Sequence, residues 1–276
     1  MLWRVLDTGM AAAAVNMAID EAILLAHSRE IVPPTLRFYQ WQPAAVSLGY
    51  FQSARAAIDG DECGKQGIDV VRRLTGGRAV LHDAELTYSL VIRENAACIP
   101  KTIAASYRYF SQVLLAGLEK LGVQAQMSRP RDTYRKTNRQ EQLTSAACFD
   151  CPAGYEIVHE GRKLVGSAQV RKQGVILQHG SILLDFSPEK LAGVLRFSSP
   201  QKRGEMVAGL VERVTSLKKI LGREVTGQET REAILAAFAS RSGVEKQKGC
   251  LTAEEQSVSR QLAEERYRNP AWTYKR

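Results

Sequence analysis

Residues 72–83 read RRLTGGRAVLHD, a sharp interruption between two strand signals. An apolar run, Ile68–Val71, enters Arg72 and Arg73. Gly76-Gly77 breaks the pattern, Ala79-Val80-Leu81 resumes it, and Leu86–Ile92 continues as a predicted strand. A double glycine at such a break lets the backbone adopt φ > 0 and lets a ligand approach without a Cβ in the way. Arg72, Arg73 and Arg78 gather positive charge at the same bend. Two arrangements fit: a β-hairpin turn with solvated arginines, or a loop that holds an anionic or carbonyl-bearing ligand against backbone N–H groups. His82-Asp83 adds polar groups that favour the second.

Strand and helix signals mix along the rest of the chain. Trp3–Asp7 predicts a strand, and Ala11–Glu30 a helix in which Ile19, Ala22, Ile23 and Ala26 recur at helical spacing. Pro33-Pro34 ends that helix. Thr35–Trp41 alternates, with Leu36 and Phe38 on one face and Arg37 and Tyr39 on the other; Ala45–Tyr50 gives another strand and Ala54–Gln66 a short helix. Pro100 precedes a helix through about Leu121, where Ile103, Tyr107, Phe110, Leu114, Leu118 and Leu121 form a stripe that reads as structural, and Gly122 stops it. Residues 128–139 are basic and aperiodic, either a solvated loop or a basic lid. Tyr155–Asp185 predicts a three-stranded meander with turns at Glu160-Gly161 and Gln173-Gly174. Ser187-Pro188 opens a helix to about Arg196. Thr226 with Glu229, and Thr252 with Glu255, have capping-box spacing; Ser240–Lys248 is a polar break between them, and the tail after it predicts one helix.

At 276 residues the chain is long enough for one well-buried domain with a small appendage. No apolar run approaches the ~20 residues of a membrane span, and the start, MLWRVLDTG, lacks the pattern of a secretory signal; a cytoplasmic protein is expected. The net charge of +9 points to a basic solvated surface, or to a partner that is nucleic acid, anionic membrane or acidic protein. No nucleic-acid-binding motif accompanies it. Cysteines stand at 63, 98, 148, 151 and 250, an odd count at irregular spacing that argues against a disulfide framework.

Chemistry concentrates in two places. Cys148 and Cys151 read ACFDCP. A zinc half-site lacks a second pair of ligands, and a thioredoxin-type pair lacks its strand-then-helix context. Two readings stay open, small buried hydrophobes or a nucleophile. Ser145-Ala146-Ala147 leaves room beside Cys148 for an incoming thioester, and a thiolate needs a neighbour that lowers its pKa. Lys163, in GRKLVGSAQ, is the candidate, and a partly desolvated lysine could also pass a proton to the leaving thiol and then accept one from the attacking amine; the small residues Gly166-Ser167-Ala168 in mid-strand predict a close approach by ligand or backbone. His82, His159 and His179 are each isolated in their segments and are expected to be structural.

RRLTGGRAVLHD together with ACFD…GRKLVGSAQVRKQGVILQHGSI resembles the cysteine-dependent octanoyltransferases of Gram-positive type, within the lipoate-protein ligase and biotin-ligase superfamily. The likeness spans about residues 1–245. It implies an α/β (α+β) fold, a mixed β-sheet core flanked by helices, with a catalytic domain over 1–248 and a helical extension over 249–276. It further implies Cys148 as the acyl-thioester nucleophile and Lys163 as the group lowering its pKa. The acyl and carbonyl pocket would be shaped by Arg73, Gly76, Gly77, Arg78, His82 and Ser167, and lined by segments such as LRFYQWQPAAVSLGYFQ. Octanoyl acyl carrier protein is the implied donor and a lipoyl-accepting protein, such as the glycine-cleavage H protein, the acceptor, without ATP, metal, nucleic acid or membrane. Cys151 departs from the expected pattern. The rival expectations are an ATP-dependent lipoate-protein ligase, an amidotransferase from H protein to dehydrogenase lipoyl domains, and a non-catalytic acyl-carrier-binding protein.

Overall fold

A computed structural model describes residues 2–128, 156–242 and 245–276. Its strands are β1 (Leu2–Ala11), β2 (Thr35–Trp41), β3 (Ala45–Leu48), β4 (Asp69–Arg72), β5 (Val80–His82), β6 (Glu85–Arg93), β7 (Gln126–Met127), β8 (Ile157–His159), β9 (Arg162–Lys172), β10 (Val175–Leu183) and β11 (Glu245–Lys248). The longer helices are α1 (Ala13–Ser28), α4 (Ile103–Lys120), α6 (Pro200–Arg213), α8 (Gly227–Ser242) and α9 (Ala253–Leu262), the last continued by a π-helical turn at Ala263–Tyr267. Between them lie α2 (Ala54–Ala57), α3 (Gly60–Lys65), α5 (Pro188–Val194), α7 (Leu217–Leu221) and α10 (Pro270–Thr273).

Alternation in β2, β6 and β10 decides how the larger sheet is covered. Its order is β11-β1-β2-β6-β10-β9-β8-β7, parallel across β11-β1-β2 and antiparallel from β2 onward, so the fold is the expected mixed sheet flanked by helices. Leu36, Phe38, Leu90, Ile92 and Ile176 face one side, where Phe110, Leu114 and Leu118 of α4 and Ile234 and Phe238 of α8 bury them. Their neighbours Val91, Val175 and Leu177 point the other way, against Ile19, Ile23 and Leu24 of α1. Arg37 and Tyr39 share that second face and are also buried, each tied to Asp20 of α1. β3 lies between β4 and β5 in a second, three-stranded sheet that carries the Arg72–Asp83 bend.

Both hairpins of the meander turn where the sequence places glycine. Glu160-Gly161 and Gln173-Gly174 take positive φ at both positions (49° and 77°, 53° and 72°), the two-residue turn whose twist matches antiparallel strands. Ser187 caps α5 through Lys190 N–H, and Thr252 with Glu255 completes both halves of its capping box. Thr226 makes only the half in which its hydroxyl accepts from Glu229 N–H, because the Glu229 carboxylate is taken by Arg223. Neither β7, α6, α7 nor β11 was foreseen, and two of them show why. α6 buries little besides Leu210, so it shows no apolar stripe, although Ser199-Pro200 repeats the cap signature of α5. β11 lies inside the predicted polar break; all four of its residues are exposed, and only parallel pairing with β1 makes it a strand. Among the described residues no helix is long and apolar enough to cross a membrane.

Candidate functional site

The bend closes over a cavity of about 320 Å³. Tyr39, Trp41 and Ser47 reach it from β2 and β3, and Arg73, Gly76 and Gly77 from the bend. Gly166, Ser167, His179 and Gly180 supply the floor from β9 and β10; Met17 of α1 and Ile103 and Tyr107 of α4 contribute apolar wall. The two α4 residues correct the structural reading of that helix stripe: Phe110, Leu114 and Leu118 are core, but Ile103 is exposed and faces the cavity with Tyr107. The floor is flat because Gly180 pairs directly with Tyr88 on one side and Ser167 on the other. A Cβ there would stand 2.5 Å from Ser167 Oγ and 2.6 Å from Gly166 O.

Arginines hold the bend from within. Arg73 donates to Thr75 Oγ1, to Ser47 O and Oγ, and to the carbonyls of Gly76 and Arg78, at 2.7–3.1 Å. Its guanidinium therefore knits the loop together while lining the cavity. Gly77 has φ 96°, and a Cβ on Gly49 would overlap the Gly77 carbonyl, so both glycines are dictated by backbone geometry. Arg72, fully buried, donates to Gly49 O and Gln52 O on one side and to Thr273 O on the other, fastening the C-terminal turn to the bend. Arg78 is not among the cavity residues; it enters the bend through its carbonyl.

Two hydroxyl–imidazole–carboxylate chains meet at Arg73. In one, Ser47 Oγ lies 2.7 Å from His82 Nε2, and His82 Nδ1 lies 2.8 Å from Glu85 Oε1. In the other, Thr75 Oγ1 lies 2.7 Å from His179 Nε2, and His179 Nδ1 lies 3.3 Å from Asp20 Oδ2. Each hydroxyl accepts from Arg73; an ionised carboxylate only accepts, so a neutral imidazole in either chain carries its proton on Nδ1 and takes the hydroxyl proton at Nε2. Asp20 also receives Arg37, Tyr39 and Ser89. Burial works to raise its pKa, but Arg37 and the bonds from His179 and Ser89 hold the carboxyl below its usual range. Burial pushes His179 down, against the opposing pull of Asp20.

Lys163 lies four residues before Ser167 on β9, buried, and is ion-paired to Glu156. Glu156 itself lines the cavity. Its backbone exchanges hydrogen bonds with Ser128: Ser128 N–H donates to Glu156 O, and Glu156 N–H to Ser128 Oγ. Cys148, Cys151 and the basic run from Arg129 to Arg139 lie outside the described residues. Of the other predicted site residues, Arg73, Gly76, Gly77, His82 and Ser167 converge on one cavity. Tyr39, Trp41 and Ser47 come from the segment Leu36–Gln52 that was expected to line it, whereas Glu156 and His179 were not singled out, since nothing local in the sequence joins them to the bend.

This geometry can be set beside known proteins. Residues 12–239 match the model of the lipoyl protein ligase A/B catalytic domain. The chain belongs to that family. Within it, the chain is 47% identical over 274 residues to an octanoyltransferase, LipM, of Kyrpidia tusciae, covering 99% of both chains. It is 40% identical over 274 residues to LipM of Bacillus subtilis, covering 99% of this chain and 98% of that one. Among solved structures, a lipoate-protein ligase A bound with ATP superposes with TM-score 0.78 at 26% identity, covering 99% of each chain. The bi-partite lipoate protein ligase of Thermoplasma acidophilum shares the fold (TM-score 0.81, 24% identity, 99% of this chain and 96% of that chain). The Arg72–Asp83 bend and the cavity beneath it lie within the residues that match the family.

Proposed function

We propose that the protein is a cytoplasmic octanoyltransferase. It takes an octanoyl group from acyl carrier protein onto Cys148 as a thioester, then passes it to the target lysine of a lipoyl-accepting protein such as the glycine-cleavage H protein. The observation that carries this reading is a largely apolar cavity of about 320 Å³ with a buried Lys163–Glu156 pair at its edge. That volume suits a small acyl ligand. Six buried methylenes contribute about 5 kcal/mol to holding an octanoyl chain. The relatives named octanoyltransferase, similar along the whole chain, support the same substrate class.

The chemistry follows from the residues. A thioester is already activated, so its exchange with a cysteine thiolate needs neither ATP nor metal. An ammonium near the sulfur favours the thiolate, and Lys163, ion-paired with Glu156 at the edge of the cavity, is the candidate. Seven residues separate Cys148 from Glu156 in the sequence, a short span that supports pairing the nucleophile with Lys163. Arg73, Gly76, Gly77 and Arg78 shape the loop against which the acyl carbonyl rests; His82 and Ser167 line the chain's path.

Intact mass measured after mixing with octanoyl acyl carrier protein tests the reading. The wild-type protein gains one octanoyl group, Cys151→Ser gains it too, and Cys148→Ser does not. Turnover by Cys148→Ser at the normal rate sinks the mechanism. A transfer that appears only with ATP and Mg²⁺ and free acid supports the ligase alternative instead.

A further inference from the structure

Gly77 lines the cavity at φ 96°, and its position is set from outside the bend. Gly49 packs flat on the Gly77 peptide, where a Cβ would stand 1.8 Å from the carbonyl oxygen. Tyr50 N–H donates to Thr75 O at 2.9 Å, so residues 49–52 form the outer backing of the bend. They lie between β3 and α2, in neither strand nor helix. Their hold comes from Arg72, whose Nη1 donates to Gly49 O at 2.7 Å and to Gln52 O at 2.6 Å.

We infer that the C-terminal turn, residues 270–276, is the strut that fixes this backing, with Arg72 and Trp272 as positioning residues for the cavity; the inference rests on the octanoyltransferase reading above only in taking octanoate as its probe. Arg72 is fully buried and stands between the two segments. On the side away from the loop, its Nε and Nη2 donate to Thr273 O at 3.0 and 2.7 Å. The Trp272 indole N–H returns a bond to Arg72 O at 2.9 Å. Ala54 N–H, just past the loop, donates to Arg276 O at 3.0 Å. Lys275 Nζ stands 3.7 Å from the centre of the Tyr50 ring and 3.6 Å from that of Trp272, a cation shared by one ring of the loop and one of the turn.

The buried cation makes the two segments dock as a unit. A guanidinium taken out of water needs its donors matched, and here carbonyls from both segments match them. If the turn leaves, the Nε edge of Arg72 is stranded or flooded, and the grip on Gly49 O and Gln52 O loosens with it. Gly49 then no longer braces Gly77. No residue of the turn lines the cavity, so the turn acts on a ligand at one remove. Linkage makes that action reciprocal: a ligand that favours the braced bend favours the docked turn by the same factor.

Octanoate titration and hydrogen exchange on the full chain test the strut. The Tyr50 amide reports on the loop, through its bond to Thr75 O, and the Tyr274 amide on the turn, through its bond to Pro270 O. Trp272→Ala should bind octanoate about tenfold more weakly, an ordinary size for coupling between two sites, and its Tyr50 amide should exchange faster. In the wild type, saturating octanoate should slow exchange at Tyr274 by about the same tenfold. Arg72→Lys keeps the charge but loses the fork that spans both segments, and should behave as Trp272→Ala does. Ile234→Val, in the core between α4 and α8, is the control: it should melt lower and bind octanoate as the wild type does. A Trp272 that only adds stability would leave exchange at Tyr274 indifferent to octanoate, and that result overturns the strut. Wild-type affinity in folded Trp272→Ala overturns it too; if that variant does not fold, the octanoate effect on Tyr274 in the wild type decides. A wild type that binds no octanoate overturns the acyl reading instead, and exchange at Tyr50 in the two variants then decides the strut, faster for it and unchanged against it.

Discussion

Gly180→Ala isolates what the cavity floor demands. The added methyl group would stand 2.5 Å from Ser167 Oγ, 2.6 Å from Gly166 O and 2.8 Å from Tyr88 Cε1. Two of these neighbours belong to the paired strand β9 and one to β6, and β10 is hydrogen-bonded to both, so no flexible surface group can swing away. Overpacking of this kind costs about 1–3 kcal/mol. At about 2 kcal/mol, a domain of this size should melt roughly 4–8 °C lower. The same methyl enters the cavity; under the proposed function, where an octanoyl chain fills it, displacing one methylene lowers affinity about fourfold. Calorimetric melting and titration with octanoate read the two effects separately. Gly204→Ala is the control: it lies exposed within α6 with nothing within 4 Å of the new Cβ, and should stabilise by about 0.5–1 kcal/mol. A Gly180→Ala protein that melts with the wild type and binds octanoate equally well would refute the account of the floor.

Two further outcomes can be read without the reaction. Arg4 donates to both carboxylate oxygens of Glu255, which is fully buried, and this pair fastens α9 to β1; Glu255→Ala strands the guanidinium and should cost about 3–5 kcal/mol in urea unfolding, much of it recovered in an Arg4→Met/Glu255→Leu double variant. Burial pushes both His27 and His179 below the ordinary histidine value of 6.5. Above that value both states are neutral and nothing changes; below it the unfolded chain takes up protons that the folded one refuses, so stability falls on acidification by at most about 1.4 kcal/mol per pH unit for each histidine. Melting temperature followed from pH 7.5 to 5.5 should decline, and His27→Gln should flatten the curve; a flat wild-type profile would contradict the burial argument.

What the sequence disclosed and what it withheld divide along a physical line. Residues 35–41 betray their two faces because the strand period is two residues and both faces are buried, one by α4 and α8 and the other by α1. The two glycine turns of the meander and Gly77 of the bend are legible for a local reason: φ > 0 is a demand on one residue, met on the spot. β11 had no such signature, since four exposed polar residues become a strand only through β1, more than 200 positions earlier in the chain. The histidines are the instructive case. His82 meets Ser47 across 35 positions, and His179 meets Thr75 across 104 and Asp20 across 159, so each seemed solitary in its own segment. Even the full set of pairings does not separate the two chains. Both contain a hydroxyl, an imidazole and a carboxylate in the same order. The distinction comes from a fourth group: Arg37, on β2 of the larger sheet, ion-pairs with Asp20, and no arginine or lysine does so with Glu85 among the described residues. That group stands two contacts from the histidine, through Asp20, and only the assembled fold brings it into range.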